Sequence, residues 1–348
     1  MAENETNFTH ILEALTNYNQ PFPPRMLRNF SDLTSLRLRE LKAVWPALKR
    51  ERKIALLEDL ETVAESDTLV NFDELAKMSL SDEDPSVRVL SIRLLWECEE
   101  SRLVPIFTEM MLSDPAEDVR AAAASALGKF VYLGELDAIP DALRISSLQN
   151  LFDVVSGEDL SMVRRRALES LGYSSHSKVP ALIQNALAKE DTQWLTSALY
   201  AIGRSADEKW SEVVLSHLDS PDSEVKFEAV RAAGEITLED AREPLFDILE
   251  TANDDQELRF AVIWSLSQIG GQGVKRKLEE MVKRCTDDEE GEWLEKALEN
   301  LELGGDLDSM EMLELDEDQI DSDEEEDLDD YDEEDLPDED IEDEEFEN

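Results

Sequence analysis

Histidine is the scarcest chemistry-bearing residue in this chain, with three in 348 residues: His10, His176 and His217. None stands four residues from another and none is followed by Glu, so no helix face offers the paired imidazoles of a metal hydrolase. Cysteine is rarer still. Cys98 and Cys285 lie far apart and read as buried or free thiols rather than a disulfide framework, which fits a reducing compartment. Cys-x-x-Cys and Walker-type motifs are missing, and no strand is predicted that a dinucleotide loop could follow. Gly270-Gly271-x-Gly273 resembles a phosphate loop only superficially and reads as the end of one helix before the next begins at Val274. No apolar run approaches the ~20 residues that a bilayer requires. The opening MAENETNFTHILEAL lacks a charged segment followed by an apolar stretch, so no signal peptide is expected. These absences point to a cytoplasmic protein that is not an enzyme and has no membrane attachment, metal or cofactor.

Basic charge is also short. There are 33 Lys and Arg against 85 Asp and Glu, a formal net charge of −52. Residues 304–348 hold 27 of those acids and no Lys or Arg, which leaves 58 acids against 33 bases ahead of them. The folded part is therefore acidic too, which argues against direct nucleic-acid binding, where a basic face supplies most of the affinity. The charge density of residues 304–348 forbids a packed core, so they read as a disordered acidic tail. Its sparse apolar residues leave three roles open: solubilisation, recognition through Leu307–Leu315 or Tyr331–Phe346, or mimicry of nucleic acid. Asp-rich runs such as Asp321-Ser322-Asp323-Glu324 lack the glycine turn and terminal Glu of a calcium loop and suit diffuse counterion binding.

What the chain has in abundance is a repeated ten-residue pattern. Val225–Gly234 reads VKFEAVRAAG, Val119–Gly128 reads VRAAAASALG, Val163–Gly172 reads VRRRALESLG, Trp194–Gly203 reads WLTSALYAIG and Leu258–Ser267 reads LRFAVIWSLS. At about 100° per residue, positions 1, 5, 8 and 9 share one helix face, and small residues there let neighbouring helices approach. Glycine at position 10 suits a helix end. Asp84-Pro85, Asp114-Pro115, Ser220-Pro221-Asp222 and Asn253-Asp254-Asp255 supply caps upstream. First positions fall at 87, 119, 163, 194, 225, 258 and 293, so the unit is a helical hairpin of roughly 31 residues. The one long gap predicts an extended loop or extra turn around Val131–Ile145.

The motif Asp-Pro, a short gap, Val-Arg, two residues, Ala, two residues, Ala-Leu-Gly resembles the HEAT-repeat family in its short, phycobilin-lyase-like form. Asp114–Gly128 matches it closely; Val87-Arg88, Val163-Arg164, Val225-Lys226 and Leu258-Arg259 match in part; Trp194-Leu195 lacks the Arg. The resemblance covers residues 50–303 and implies an all-α fold, a right-handed α-solenoid of stacked helical hairpins. It also extends to a bacterial group with an acidic tail, which implies no activity. HEAT-like enzymes that hydroxylate a modified lysine hold two irons on His-Glu pairs, which this chain lacks. The lyase-like label leaves one enzymatic alternative, a lyase or lyase subunit acting on a tetrapyrrole and its client protein.

Domain limits follow. Residues 1–30 form an N-terminal segment with a short helix in Asn7–Tyr18. Residues 31–79 form a helical cap with a degenerate repeat, 80–303 the array, and 304–348 the tail. Within the cap, Ser31–Leu48 reads as a helix capped by Ser31 or Asp32, followed by Leu33, Leu36, Leu41 and Val44 with Trp45. The last array helix runs over Glu292–Leu303 and ends at Gly304-Gly305. Residues 25–53 are the basic region, with Arg37, Arg39, Lys42, Arg50, Arg52 and Lys53 among its cations. They read either as a solvated end face or as a docking patch for an acidic ligand, the tail included.

Positions 3 and 7 face away from the core, and in HEAT-like solenoids that face lines the concave side. Arg165, Tyr200, Phe227, Arg231, Phe260 and Trp264 fall there. Aromatics with Arg are the composition of interface hot spots. They either line a partner-binding groove or are buried by superhelical curvature or by the 131–145 segment. Arg88, Arg120, Arg164, Lys226 and Arg259 at position 2 read as a ladder bonding the turns between helices. The leading expectation is a monomeric, non-enzymatic scaffold or adaptor that holds a basic protein partner in its groove, with the tail modulating solubility or binding. A second alternative is chaperoning of basic proteins by the tail.

Overall fold

A computed structural model of the protein describes residues 8–252, 255–271 and 273–314. Among these residues the regular structure is helical, without a strand. Helices α1 (Phe8–Thr16), α2 (Ser35–Val44), α3 (Arg50–Ser66) and α4 (Asp73–Ser79) come first, with 3-10 turns at Pro24–Phe30 and Trp45–Ala47. Then follow α5 (Pro85–Leu94), α6 (Leu103–Ser113), α7 (Glu117–Glu135), α8 (Asp141–Ser156), α9 (Ser161–Leu171) and α10 (Val179–Leu187). The array continues with α11 (Thr192–Ser205), α12 (Ser211–His217), α13 (Ser223–Glu235), α14 (Arg242–Thr251), α15 (Gln256–Ile269), α16 (Val274–Val282) and α17 (Asp288–Glu314). The chain divides into two units, residues 1–302 and 303–348.

In the first unit the odd-numbered helices from α3 to α15 pack side by side as one layer, and each even helix from α4 to α14 packs against the odd helix that follows it. The result is an α-solenoid. The ten-residue pattern explains the layer. Val119, Ala123, Ala167, Ala198, Ala229 and Val262, at positions 1 and 5, are wholly enclosed. Caps start the helices as the turn residues require: Asp84 accepts from the Ser86 and Val87 amides, Asp222 from Glu224 and Val225, Asp191 from Trp194, and Asp255 from Leu258.

The position-2 arginines tie one turn to the next. Arg88 grips Asp114 with two bonds of 2.8 and 2.7 Å and also donates to the Asp82 carbonyl. Arg120 repeats this one unit on, gripping Asp159 at 2.9 and 2.7 Å and donating to the Asp114 carbonyl. The Arg120 guanidinium holds the Asp159 carboxyl below the usual range. Arg164 donates instead to the Val155 carbonyl, while Arg259 both donates to the Leu249 carbonyl and pairs with Glu290 one unit on.

Four expectations change. The position-10 glycines do not end helices through a left-handed turn. A Cβ on Gly172 would lie 2.7 Å from Ala201 Cα, and one on Gly234 would lie 2.7 Å from Ser265 Cα, so they permit close helix contact. The 131–145 segment is not an extended loop: α7 runs on to Glu135, with Val131, Leu133 and Gly134 on its buried face, and after a short turn α8 begins at Asp141. The cap of α2 is Thr34, not Ser31 or Asp32. Ser31 accepts from the Asn71 amide and the Asp32 amide donates to the Asn71 carbonyl, which delays the helix, and Leu36 is exposed. Finally, α17 starts at Asp288 and runs through Gly304-Gly305 to Glu314. The tail segments beyond residue 314 lie outside the described residues.

Candidate functional site

On each odd helix, positions 3, 4, 7 and 11 fall roughly 200–300° round from position 1, opposite the packed face. These positions line a series of clefts that share residues. One cleft of about 610 Å³ includes Arg50, Val89, Ala121, Ser125 and Arg166. Its neighbour of about 580 Å³ includes Arg93, Trp96, Ser125 and Arg166. A third of about 440 Å³ includes Trp96, Lys129, Tyr132, Tyr173 and Tyr200. A fourth of about 450 Å³ brings Arg165, Tyr200 and Phe227 together with Glu169, Glu224, Glu228, Asp255 and Glu257.

The predicted groove residues divide accordingly. Tyr200 and Phe227 line the fourth cleft, half-buried. Arg231 stands against both rings, 5.9 Å from the Tyr200 centroid and 6.0 Å from that of Phe227. Arg165 lines the cleft but is buried, donating to Ser197 Oγ at 3.2 Å, so it supports the wall more than it faces a ligand. Burial pulls its pKa down, and Arg166 acts in the same direction. Phe260 stacks on Trp293 of α17, with centroids 5.4 Å apart. Trp264 is half-buried, and neither it nor Phe260 lines the four clefts described above.

A charged layer lies beneath the aromatics. Arg204 sits 4.9 Å from the Tyr200 ring and 5.4 Å from the Tyr173 ring and pairs with Glu235 at 3.1 Å. Arg231 pairs with the same carboxylate at 3.2 Å. Glu228 fares differently: Arg231 stands 4.0 Å away, at the limit of an ion pair. Burial, with Glu235 and Glu169 nearby, outweighs the arginines and pushes the Glu228 carboxyl up to about 7. Sequence reasoning missed Arg166, Glu228 and Glu235. They occupy positions 4 and 11, which the same 100° step places beside 3 and 7.

The basic region is narrower than its composition suggests. Lys53 is buried and pairs with Asp82 at 2.7 Å, so it is not a docking cation. Arg52 donates to the carbonyls of Asn17 and Gln20. Arg50 bonds Asp84 and Ser86 at the start of α5. Arg37 lies over the Phe8 ring, while Arg39 and Lys42 are exposed on α2.

A family model for HEAT repeats matches residues 72–147, 179–256 and 211–299, more than half of the chain. The chain belongs to the HEAT-repeat family. No curated protein matches this HEAT-repeat chain. Among solved structures it is similar to YibA of Escherichia coli, at 15% identity and a TM-score of 0.38, covering 87% of this chain and 98% of that one. It is also similar to human deoxyhypusine hydroxylase in complex with glycerol, at 17% identity and a TM-score of 0.33, covering 76% of this chain and 96% of that one.

Within this HEAT array the histidines lie apart: His10 on α1, His176 against the Phe152 ring, and His217 at the end of α12. Among the described residues, Asp73, Cys98 and Glu100 converge as potential metal ligands. The Lys77 ammonium already sits in that group, 2.5 Å from Glu100 and 3.7 Å from Asp73. Burial pushes the Cys98 thiol up to about 11, which opposes the thiolate that a metal requires. Among the described residues no helix is long and apolar enough to cross a membrane.

Proposed function

We propose that this protein is a non-enzymatic scaffold that holds a basic segment of a partner protein against the odd-helix stripe. The observation that carries the reading is the fourth cleft, where Tyr200 and Phe227 stand among five carboxylates and two arginines. Aromatic side chains give a protein interface its anchoring area at low entropic cost, and an acidic lining gives it selectivity for basic partners. The chain's formal charge of −52 steers such partners from a distance. In this reading the protein works in the cytoplasm as a monomer without a cofactor, and residues 304–348 modulate solubility.

The test is affinity capture from native lysate with the full chain and with a Tyr200→Ala, Phe227→Ala variant of unchanged helix content. The reading expects basic clients that are retained by the first, released by salt and lost from the second. Equal capture by both removes the cleft from the account.

A further inference from the structure

We propose that the cleft lined by α9, α11, α13 and α15 recognises one arginine side chain of the partner, with Glu228 as its anchor and the Tyr200 and Phe227 rings as its walls. This deepens the scaffold reading and rests on it.

Three observations converge. First, the cleft lining is acidic: Glu224, Asp255 and Glu257 line it exposed, with Glu228 and Glu169 deeper, against Arg165 and Arg166. Second, its rings already accept a guanidinium, since Arg231 stands within about 6 Å of both centroids. A planar guanidinium stacks on such faces and donates to a carboxylate in the same pose, which an ammonium does not. Third, the carboxylates of the cluster are unequally served. Glu235 takes both Arg204 and Arg231 within 3.2 Å, and Glu169 takes Arg166 and the Ser197 hydroxyl at 2.6 Å each. Glu228 has Arg231 at 4.0 Å. An incoming arginine supplies the pairing that Glu228 lacks.

The surroundings of Glu228 fix the pH dependence. It faces Arg231 and Glu235 on its own helix, Arg204 on α11, and Glu169 on α9, with Glu224, Arg165, Arg166, Asp255 and Glu257 around the same cleft. Its carboxyl is pushed up to about 7 and is therefore about half protonated at neutral pH. A cation binds the ionised form, so binding strengthens as pH rises through 7 and releases a proton from Glu228 to solvent.

The experiment is isothermal titration of the full chain with an acetylated octapeptide of alternating alanine and arginine, and with versions carrying citrulline or lysine instead. The arginine peptide is expected to bind about tenfold more tightly at pH 8 than at pH 6. At pH 7 it is expected to release about half a proton, read from buffers of different ionisation enthalpy. Citrulline is expected to lose at least tenfold and lysine severalfold. Glu228→Gln should lose about tenfold at pH 8 and flatten the pH response, while Glu243→Gln on α14 leaves both unchanged. Equal binding by Glu228→Gln, or binding without proton release, overturns the anchor and leaves the scaffold reading standing. Equal affinity for the lysine peptide overturns the arginine selectivity. No difference between arginine and citrulline, or no binding by either, overturns the cation site. The scaffold reading fails separately, when the Tyr200, Phe227 variant retains its clients.

Discussion

Gly234 of one repeat meets Ser265 of the next so closely that a Cβ on the glycine would lie 2.7 Å from the serine Cα. In return, Ser265 Oγ donates to the Val230 carbonyl at 2.8 Å, across the same contact. Ser170 does the same three interfaces earlier, between α7 and α9, donating to the Ala124 carbonyl at 2.7 Å beside Gly128. Position 10 of one helix and position 8 of the next thus set the spacing of the layer, which in turn sets the spacing of the stripe residues.

Gly234→Ala is therefore expected to destabilise by about 1–3 kcal/mol, as overpacking does in an interior that cannot yield. Ser265→Ala is expected to cost about 1 kcal/mol by removing one buried hydrogen bond. Urea unfolding of both variants checks the order. A larger loss for Ser265→Ala would mean that the hydroxyl, not the close approach, holds the interface.

The Arg88–Asp114 grip is enclosed, with side chains 11% and 9% exposed. Arg88→Met strands a buried carboxylate and is expected to cost about 3 kcal/mol. Adding Asp114→Asn removes the stranded charge and keeps an acceptor for the Ala116 amide, so the double variant is expected to recover part of that loss. A double-mutant cycle in urea measures the coupling, and strict additivity would mean the pair is not coupled.

Glu228 makes a prediction about stability as well as binding. Its carboxyl titrates near 4.5 when unfolded and at about 7 in the native protein. Between those values the native state keeps a proton that the unfolded state has lost, so this group's contribution falls as pH rises, by about 3 kcal/mol in all. Glu228→Gln abolishes the penalty. The variant is expected to be more stable than the native chain at pH 8 and nearly equal at pH 5. A loss at pH 8 would make Glu228 an ordinary structural ion-pair partner.

Lys129 has a comparable signature with the opposite charge. Its Nζ is buried without a hydrogen-bond partner, and burial pulls its pKa down. Lys129→Met keeps the stem and removes the desolvated ammonium, so it is expected to stabilise by about 1 kcal/mol in thermal unfolding at pH 7. A loss of stability would show that Glu97 and Glu99 nearby compensate the charge.

The layer was readable because its determinants are local: a 100° step, small residues on one face and Asp-Pro caps. Gly172 and Gly234 were misread because their role depends on how near the next helix lies, which no local pattern encodes. Gly134 and Pro140 look like loop signals, yet Gly134 stays helical and makes room for the Arg144 stem, whose Cγ would lie 2.7 Å from a Cβ there. Tyr200, Phe227 and Arg231 were found because positions 3 and 7 carry them. Glu228 and Glu235 were not, because charged residues on an exposed helix face look like solvated surface until burial by neighbouring helices is known.

The most direct test of the scaffold account is site-specific photo-crosslinking in cells. A benzophenone side chain is placed at Phe227, in the cleft, or at Leu112, exposed on α6 and outside the lining of the four clefts. The account predicts adducts at 227 with Arg-bearing segments of partner proteins, weakened by Glu228→Gln, and few at 112. Adducts at 112 with none at 227 would contradict it.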